Sequence, residues 1–188
     1  MKVALILLAA GKGTRMQSDL PKVLHAVAHA PLLEHAMASG AALSPARTVV
    51  VAGHGADQVR AAAQAFDDEA QVVVQEEQLG TAHAVLQCRD ILQDFSGNVL
   101  ILYGDVPLIK VETLENLLSL HSKTDTKSTI LTTDLPDPSG YGRIIRNHDH
   151  FLMKIVEEKD ATNEEIQILA GKFTQVYDLA GRTMIPGI

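Results

Sequence analysis

From Val3 to Ala10 the chain is apolar without interruption, and it then turns abruptly into Gly11-Lys12-Gly13-Thr14-Arg15-Met16. A strand covered on one face alternates apolar and polar side chains. An unbroken run therefore points to a strand covered on both faces, as in a parallel sheet flanked by helices. The glycines that follow free the backbone for close approach to a ligand. In α/β proteins phosphates are held at such a strand-to-loop junction. Asp19-Leu20-Pro21-Lys22-Val23-Leu24 follows at once, so that Lys12, Arg15 and Lys22 gather positive charge within an otherwise acidic chain.

Two familiar glycine loops are excluded by spacing. A P-loop requires a glycine where Ile6 stands and a Ser or Thr where Gly13 follows Lys12. A dinucleotide-binding loop requires its third glycine where Met16 stands. What remains, Gly-x-Gly-Thr-Arg followed by Leu-Pro-Lys, resembles the signature of sugar-nucleotide pyrophosphorylases.

Runs rich in β-branched residues recur at Val3–Ala9, Thr48–Ala52, Gln71–Gln75, Val99–Tyr103 and Ser128–Thr132. Helical patterns fall between them at Pro31–Leu43, Ala56–Phe66, Leu79–Leu92 and Val111–His121. This alternation predicts an α/β fold, a mostly parallel Rossmann-like sheet with helices on both faces. Beyond Leu135 a Pro/Gly-rich stretch leads into Arg143–Arg146 and Phe151–Val156 around a polar Asn147–His150 turn, which predicts an inserted β-hairpin. No boundary is evident before Thr162, so residues 1–162 are expected to form the nucleotidyltransferase domain and residues 163–188 a divergent or truncated tail.

The 188 residues suffice for one domain with a sizeable core, being 46% hydrophobic and 21% charged. No stretch approaches the roughly 18 apolar residues of a membrane span. The first strand carries no cleavage signal, and a cytoplasmic location is expected. Cys88, the single cysteine, excludes an internal disulfide and reads as a buried, inert thiol. A formal charge of −7 argues against long nucleic acids but not against a small phosphorylated ligand.

Ligands of open α/β sheets bind beyond the carboxyl ends of the strands. The residues expected there are Gly11–Arg15, Gln75–Thr81 and Tyr103-Gly104-Asp105, with Gly142 and Glu157 added by the hairpin. Asp105, fixed at a strand end beside a phosphate site, suits Mg²⁺, a hard cation that keeps most of its waters. A loop aspartate capping the helix near Val111 is the alternative. His25, His35, His54 and His83 lack metal-binding spacing and are assigned to packing or loop hydrogen bonds. Glu157 could equally be a surface residue at an acidic strand end, and Lys159-Asp160 an exposed ion pair.

From Val3 to Thr162 the chain is similar to the uridylyltransferase domain of the bacterial bifunctional N-acetylglucosamine-1-phosphate uridylyltransferase/glucosamine-1-phosphate acetyltransferases. The motifs that carry the resemblance include Leu8–Met16, Leu20–His25, Gly53-His54-Gly55, Gln75–Ala84, Leu102–Leu108, Gly140–Ile144 and Ile155–Thr162. It implies a uridine pocket formed by Leu8, Ala9, Ala10, Gly11, Gln75, Gly80 and Thr81, with Lys12 also at the nucleotide. Arg15 and Lys22 would face the triphosphate, Asp105 the Mg²⁺, and Tyr103, Gly104, Gly142 and Glu157 the sugar. The implied partners are UTP and N-acetylglucosamine 1-phosphate, with no nucleic acid and no membrane. The sugar phosphate would attack the α-phosphorus of UTP and displace pyrophosphate, a reaction that needs no general base.

Past Thr162 the resemblance breaks. The asparagine that would hold the sugar is missing from Ile168–Tyr177, and the segment expected to supply a second metal ligand would lie beyond Ile188. Weak uridine-nucleotide binding with impaired transfer is therefore expected, as is a bare sheet edge that invites homo-oligomers. The alternatives are another NTP-dependent sugar-1-phosphate nucleotidyltransferase, or an inactive nucleotide-binding fragment.

Overall fold

The structure is a computed structural model that describes residues 1–11, 13, 16, 18–124, 126–133, 137, 139–147, 152–156, 160–162 and 176–177. It divides into two compact units, Met1–Leu114 and Glu115–Ile188.

In the first unit β1 (Val3–Ala9) is buried at every position, as an unbroken apolar run demands. It pairs in parallel with β4 (Arg47–Ala52) on one side and β6 (Asn98–Tyr103) on the other. A further parallel strand, β5 (Gln71–Val74), flanks β4, giving the sheet order β5-β4-β1-β6. The first four strands expected from the sequence are present within a residue at each end.

Helices cover both faces, as the alternation predicted. Ile6, Leu8 and Ala10 join Val49 and Val51 on one face, against Ala84 and Cys88. These belong to, or directly follow, α3 (Thr81–Leu86), which precedes the short α4 (Arg89–Leu92). Leu5 meets Gly40 of α1 (Leu32–Ala41) so closely that an added Cβ would stand 2.3 Å from Leu5 Cδ2. Val59 and Ala63 of α2 (Ala56–Phe66) are wholly buried. Each fully buried Leu, Ile or Val contributes about 1.5–3 kcal/mol of transfer free energy.

Two differences from the sequence expectation are local. The helix expected over Leu79–Leu92 begins only at Thr81, because Gly80 at φ +96° cannot continue a right-handed turn, and it breaks again around Gln87-Cys88. A small hairpin, β2 (Ala26–Val27) with β3 (Ala30–Pro31), was not expected. Its two-residue loop places Ala28 at φ 51° and His29 at φ 72°, the backbone of a primed turn without the Gly or Asn that announces one.

In the second unit β8 (Arg143–Arg146) and β9 (Leu152–Val156) form the expected antiparallel hairpin. Ile130 and Leu152 are buried with Ile144 and Ile155 packed against them. The strand expected at Ser128–Thr132 shortens to β7 (Ser128–Thr129) and lies outside the parallel sheet, paired antiparallel with β10 (Val176–Tyr177). α5 (Val111–Lys123) spans the boundary in sequence, and His121 Nδ1 lies 2.9 Å from Thr129 Oγ1. The hairpin turn at 148–150, and the tail after Thr162 apart from β10, lie outside the described residues.

Candidate functional site

The chain leaves β1 for β4 and β5, then crosses back to set β6 on the opposite side of β1. The direction of winding thus reverses between β1 and β6, and the crevice beyond their carboxyl ends is where such sheets take ligands. Leu8 is in register with Tyr103, and Gly104 N–H donates to Leu8 O at 2.9 Å. A Cβ on Gly104 would stand 3.2 Å from that oxygen and 3.3 Å from Leu33 Cδ1 and Val23 Cγ1. The absent side chain lets β6 end tightly against β1, which sets the position of Asp105.

Asp105 Oδ2 accepts a bond from Lys22 Nζ at 2.6 Å, a salt bridge between side chains 28% and 41% exposed respectively. The described bond of the carboxylate is thus to Lys22 and not to the start of α5. Lys22 opens a single 3-10 turn, Lys22–Leu24, entered through Pro21. Pro21 is wedged against Gly55, where an added Cβ would lie 2.5 Å from Pro21 Cγ. Gly13, at φ +56°, leaves no room for a side chain either, its Cβ position being 2.8 Å from Lys22 Cβ. Gly13 and Gly55 thus both pack against the segment that carries Lys22.

Across the same strand ends Gln75 is only 4% exposed. Its backbone N–H donates to Ala52 O at 2.8 Å, and its side-chain Nε2 lies 3.1 Å from Gly80 O and 3.0 Å from His83 Nδ1. Gln78 Nε2 donates to Ala10 O at 2.6 Å, tying this loop to the end of β1. Gly80 has nothing within 4 Å of its Cβ position, so its positive φ alone calls for glycine. Tyr103 bonds to the side chain of Thr81, and burial, outweighing that bond and aided by the nearby charge of Asp105, pushes its phenol up to about 12. Tyr103 is thus electrically and sterically joined to both the Asp105 side and the Thr81 side.

Of the sequence candidates, Leu8, Ala9, Ala10, Gly11, Gln75, Gly80, Tyr103, Gly104 and Asp105 stand at the carboxyl ends of the first unit's strands or in the loops leaving them, and Lys22 and Thr81 open the helical turns that follow such loops. Leu8, Ala9 and Ala10 are at most 9% exposed. Lys12, Arg15 and Glu157 lie outside the described residues, and Gly142 belongs to the second unit, immediately before β8. Gln78 fell within the Gln75–Thr81 segment expected at the site, whereas His83 had been assigned to packing or loop hydrogen bonds. Both act on partners that local sequence patterns do not reveal.

Among the described residues no group of three His, Cys, Asp or Glu side chains could cage a metal. A single aspartate at a strand end, as Asp105 is, nevertheless fits Mg²⁺, which can be held by one or two carboxylates together with substrate phosphates. Cys88 is 1% exposed, and burial pushes its thiol up to about 12, as an inert core cysteine requires. No helix among the described residues is long and apolar enough to cross a membrane.

The sequence profile of the MobA-like NTP transferase domain matches residues 5–146. Bifunctional protein GlmU of Ruegeria sp. (strain TM1040) is 58% identical over 165 residues, 88% of this chain and 36% of the relative. The GlmU of Streptococcus mutans is 49% identical over 163 residues, 87% of this chain and 35% of the relative. The chain thus spans about a third of the length of these curated relatives. Among solved structures, HddC from Yersinia pseudotuberculosis superposes with a TM-score of 0.64 at 20% identity, covering 82% of this chain and 68% of that one. A nucleotidyl transferase from Methanothermobacter thermautotroptrophicus gives a TM-score of 0.56 at 20% identity, over 75% of this chain and 68% of that one.

Proposed function

The chain belongs to the MobA-like NTP transferase domain family, and on that premise we propose that it builds a UTP site for uridylyl transfer to N-acetylglucosamine 1-phosphate. The observation that carries this reading is the Lys22–Asp105 pair at the point where the sheet winding reverses. It sets a cation beside a carboxylate whose chemistry suits a divalent metal. The ordered Gln75 amide at the neighbouring strand end supplies a group able to read a base, and the likeness to GlmU supports uridine as the nucleoside.

The reaction needs little from acid–base chemistry. A phosphate oxygen of the sugar phosphate attacks the α-phosphorus of UTP, the bond to the β-phosphate oxygen breaks, and pyrophosphate leaves with the electron pair. No proton has to move. The barrier lies in bringing two anions together and in the charge that accumulates on the leaving group. Lys22 meets that charge with its ammonium group, and the resemblance assigns the same task to Lys12 and Arg15. Asp105 would hold Mg²⁺, which when bound neutralises phosphate charge and orients the triphosphate. Tyr103, Gly104, Gly142 and Glu157 are assigned to the sugar by the same resemblance. The missing asparagine between Ile168 and Tyr177 supports slow transfer relative to nucleotide binding.

Calorimetric titration with UTP and Mg²⁺, alongside a pyrophosphate-release assay with N-acetylglucosamine 1-phosphate, tests the proposal. UTP binding with slow, Asp105-dependent turnover is expected, and Asp105→Asn should lower turnover by at least about a hundredfold. Failure to bind UTP would refute the reading, and so would unchanged turnover in Asp105→Asn.

A further inference from the structure

We propose that His83 is a positioning residue that makes the site select a base bearing an imide N–H, by locking the Gln75 amide with its nitrogen turned inward. The proposal rests on the uridylyl reading above and adds how the base is told from its relatives.

The backbone of Gln75 is anchored at the end of β5 through its bond to Ala52 O, and the side chain is almost wholly enclosed. One amide atom lies 3.1 Å from Gly80 O, a carbonyl that can only accept. An amide oxygen there would set two acceptors face to face, so the atom is the nitrogen. Its second hydrogen is directed to His83 Nδ1 at 3.0 Å. Both donors of Gln75 are then committed, and the oxygen remains the one polar atom of the side chain without a bond among the described residues.

This arrangement dictates the state of the imidazole. Nδ1 must present its lone pair, so the neutral ring carries its proton on Nε2. Gln87 Nε2 lies 3.1 Å from His83 Nε2 and 3.1 Å from His83 O. A neutral ring cannot accept at both nitrogens, so the two glutamines compete for one lone pair. Gln87 is only half-buried and keeps its bond to the carbonyl, whereas the enclosed Gln75 has no solvent to turn to. Gln75 therefore holds the ring.

The amide oxygen, left as the acceptor once both Nε2 hydrogens are committed, would accept from the N3–H of uracil. Cytosine offers a lone pair at that position, and two acceptors would be forced together. A site that commits its acceptor in advance discriminates by about tenfold or more. With His83 replaced by an apolar side chain the amide loses one reason to keep its orientation, and the discrimination should fall.

The test compares dissociation constants for UTP and CTP, with Mg²⁺, in the full chain and in two variants. His83→Leu removes the acceptor, whereas His83→Asn keeps an oxygen at nearly the place of Nδ1. The native chain should favour UTP by about tenfold or more, the Leu variant by less than about threefold, and the Asn variant should recover most of the preference. An unchanged ratio in His83→Leu would overturn the proposal, and so would equal losses for both nucleotides in both variants. A native chain that binds UTP and CTP alike overturns this inference while leaving a nucleotide site. One that binds neither overturns the uridylyl reading and this inference with it. Nitrogen NMR of the native imidazole needs no substitution: the Nε2–H tautomer is expected, and the Nδ1–H tautomer would overturn the proposal even if His83→Leu fails to fold.

Discussion

Substituting Lys22 by Met separates two roles that the ion pair combines, holding Asp105 in the free protein and meeting phosphate in the complex. Unit charges 2.6 Å apart attract by about 1.6 kcal/mol in water and by about 6 kcal/mol at an effective dielectric of ~20. Side-chain exposures of 41% and 28% place this pair nearer the aqueous limit, and ordering the lysine chain costs about 1–2 kcal/mol. The net contribution is thus about 1 kcal/mol, or roughly fivefold in an equilibrium constant. Without nucleotide, Lys22→Met should bind Mn²⁺ about fivefold more tightly, because the carboxylate no longer has to release an ammonium group. With Mn²⁺ saturating, the same variant should bind UTP about tenfold more weakly. Paramagnetic titration of Mn²⁺ and calorimetry with UTP read the two effects separately. Manganese affinity that stays the same or falls in Lys22→Met would refute the competition between lysine and metal.

Gly13→Ala combines a φ of +56° with a Cβ 2.8 Å from Lys22 Cβ, so urea unfolding should show a loss of about 1–3 kcal/mol, and UTP binding should weaken as Lys22 shifts; a variant as stable as the native chain would contradict that packing. Cys88, 1% exposed with its thiol pushed up to about 12, should resist iodoacetamide in mildly alkaline buffer and react once urea unfolds the chain. Rapid alkylation of the native protein would contradict its burial. Tyr103 ionises near its ordinary 10.0 in the unfolded chain but near 12 when folded, so its share of stability is intact below 10.0 and is lost as pH rises toward 12. Urea midpoints across that interval should fall less steeply in Tyr103→Phe than in the native chain; parallel slopes would count against the shift.

The parallel sheet was legible because its signal is local: β1 is an unbroken apolar run, and α2 begins and ends as its sequence pattern indicates. The Ala28-His29 turn was not, since the two-residue hairpin demands a positive φ of residues that do not advertise it. β7 is a similar case, its β-branched run finding its partner in β10 instead of in the main sheet. Within the site, the motif-bearing residues Lys22, Gln75 and Asp105 could be named in advance. Gln78 lay within the Gln75–Thr81 segment expected there, but its bond to Ala10 O could not be foreseen, because it joins residues 68 positions apart and nothing in either neighbourhood signals the other. For His83, the spacing argument carried no information about the Gln75 amide at the end of the preceding strand.

The bond between Lys22 and Asp105 closes a loop of 83 positions that contains β4, β5 and the helices packed on them. Neither residue can find the other until β6 has come to rest beside β1, so the site comes into being with the completion of the sheet and has no existence in any shorter piece of it. A triphosphate held by both residues would therefore rivet β6 in place, and its binding energy would be spread through the whole sheet as resistance to opening, out to amides far from the ligand.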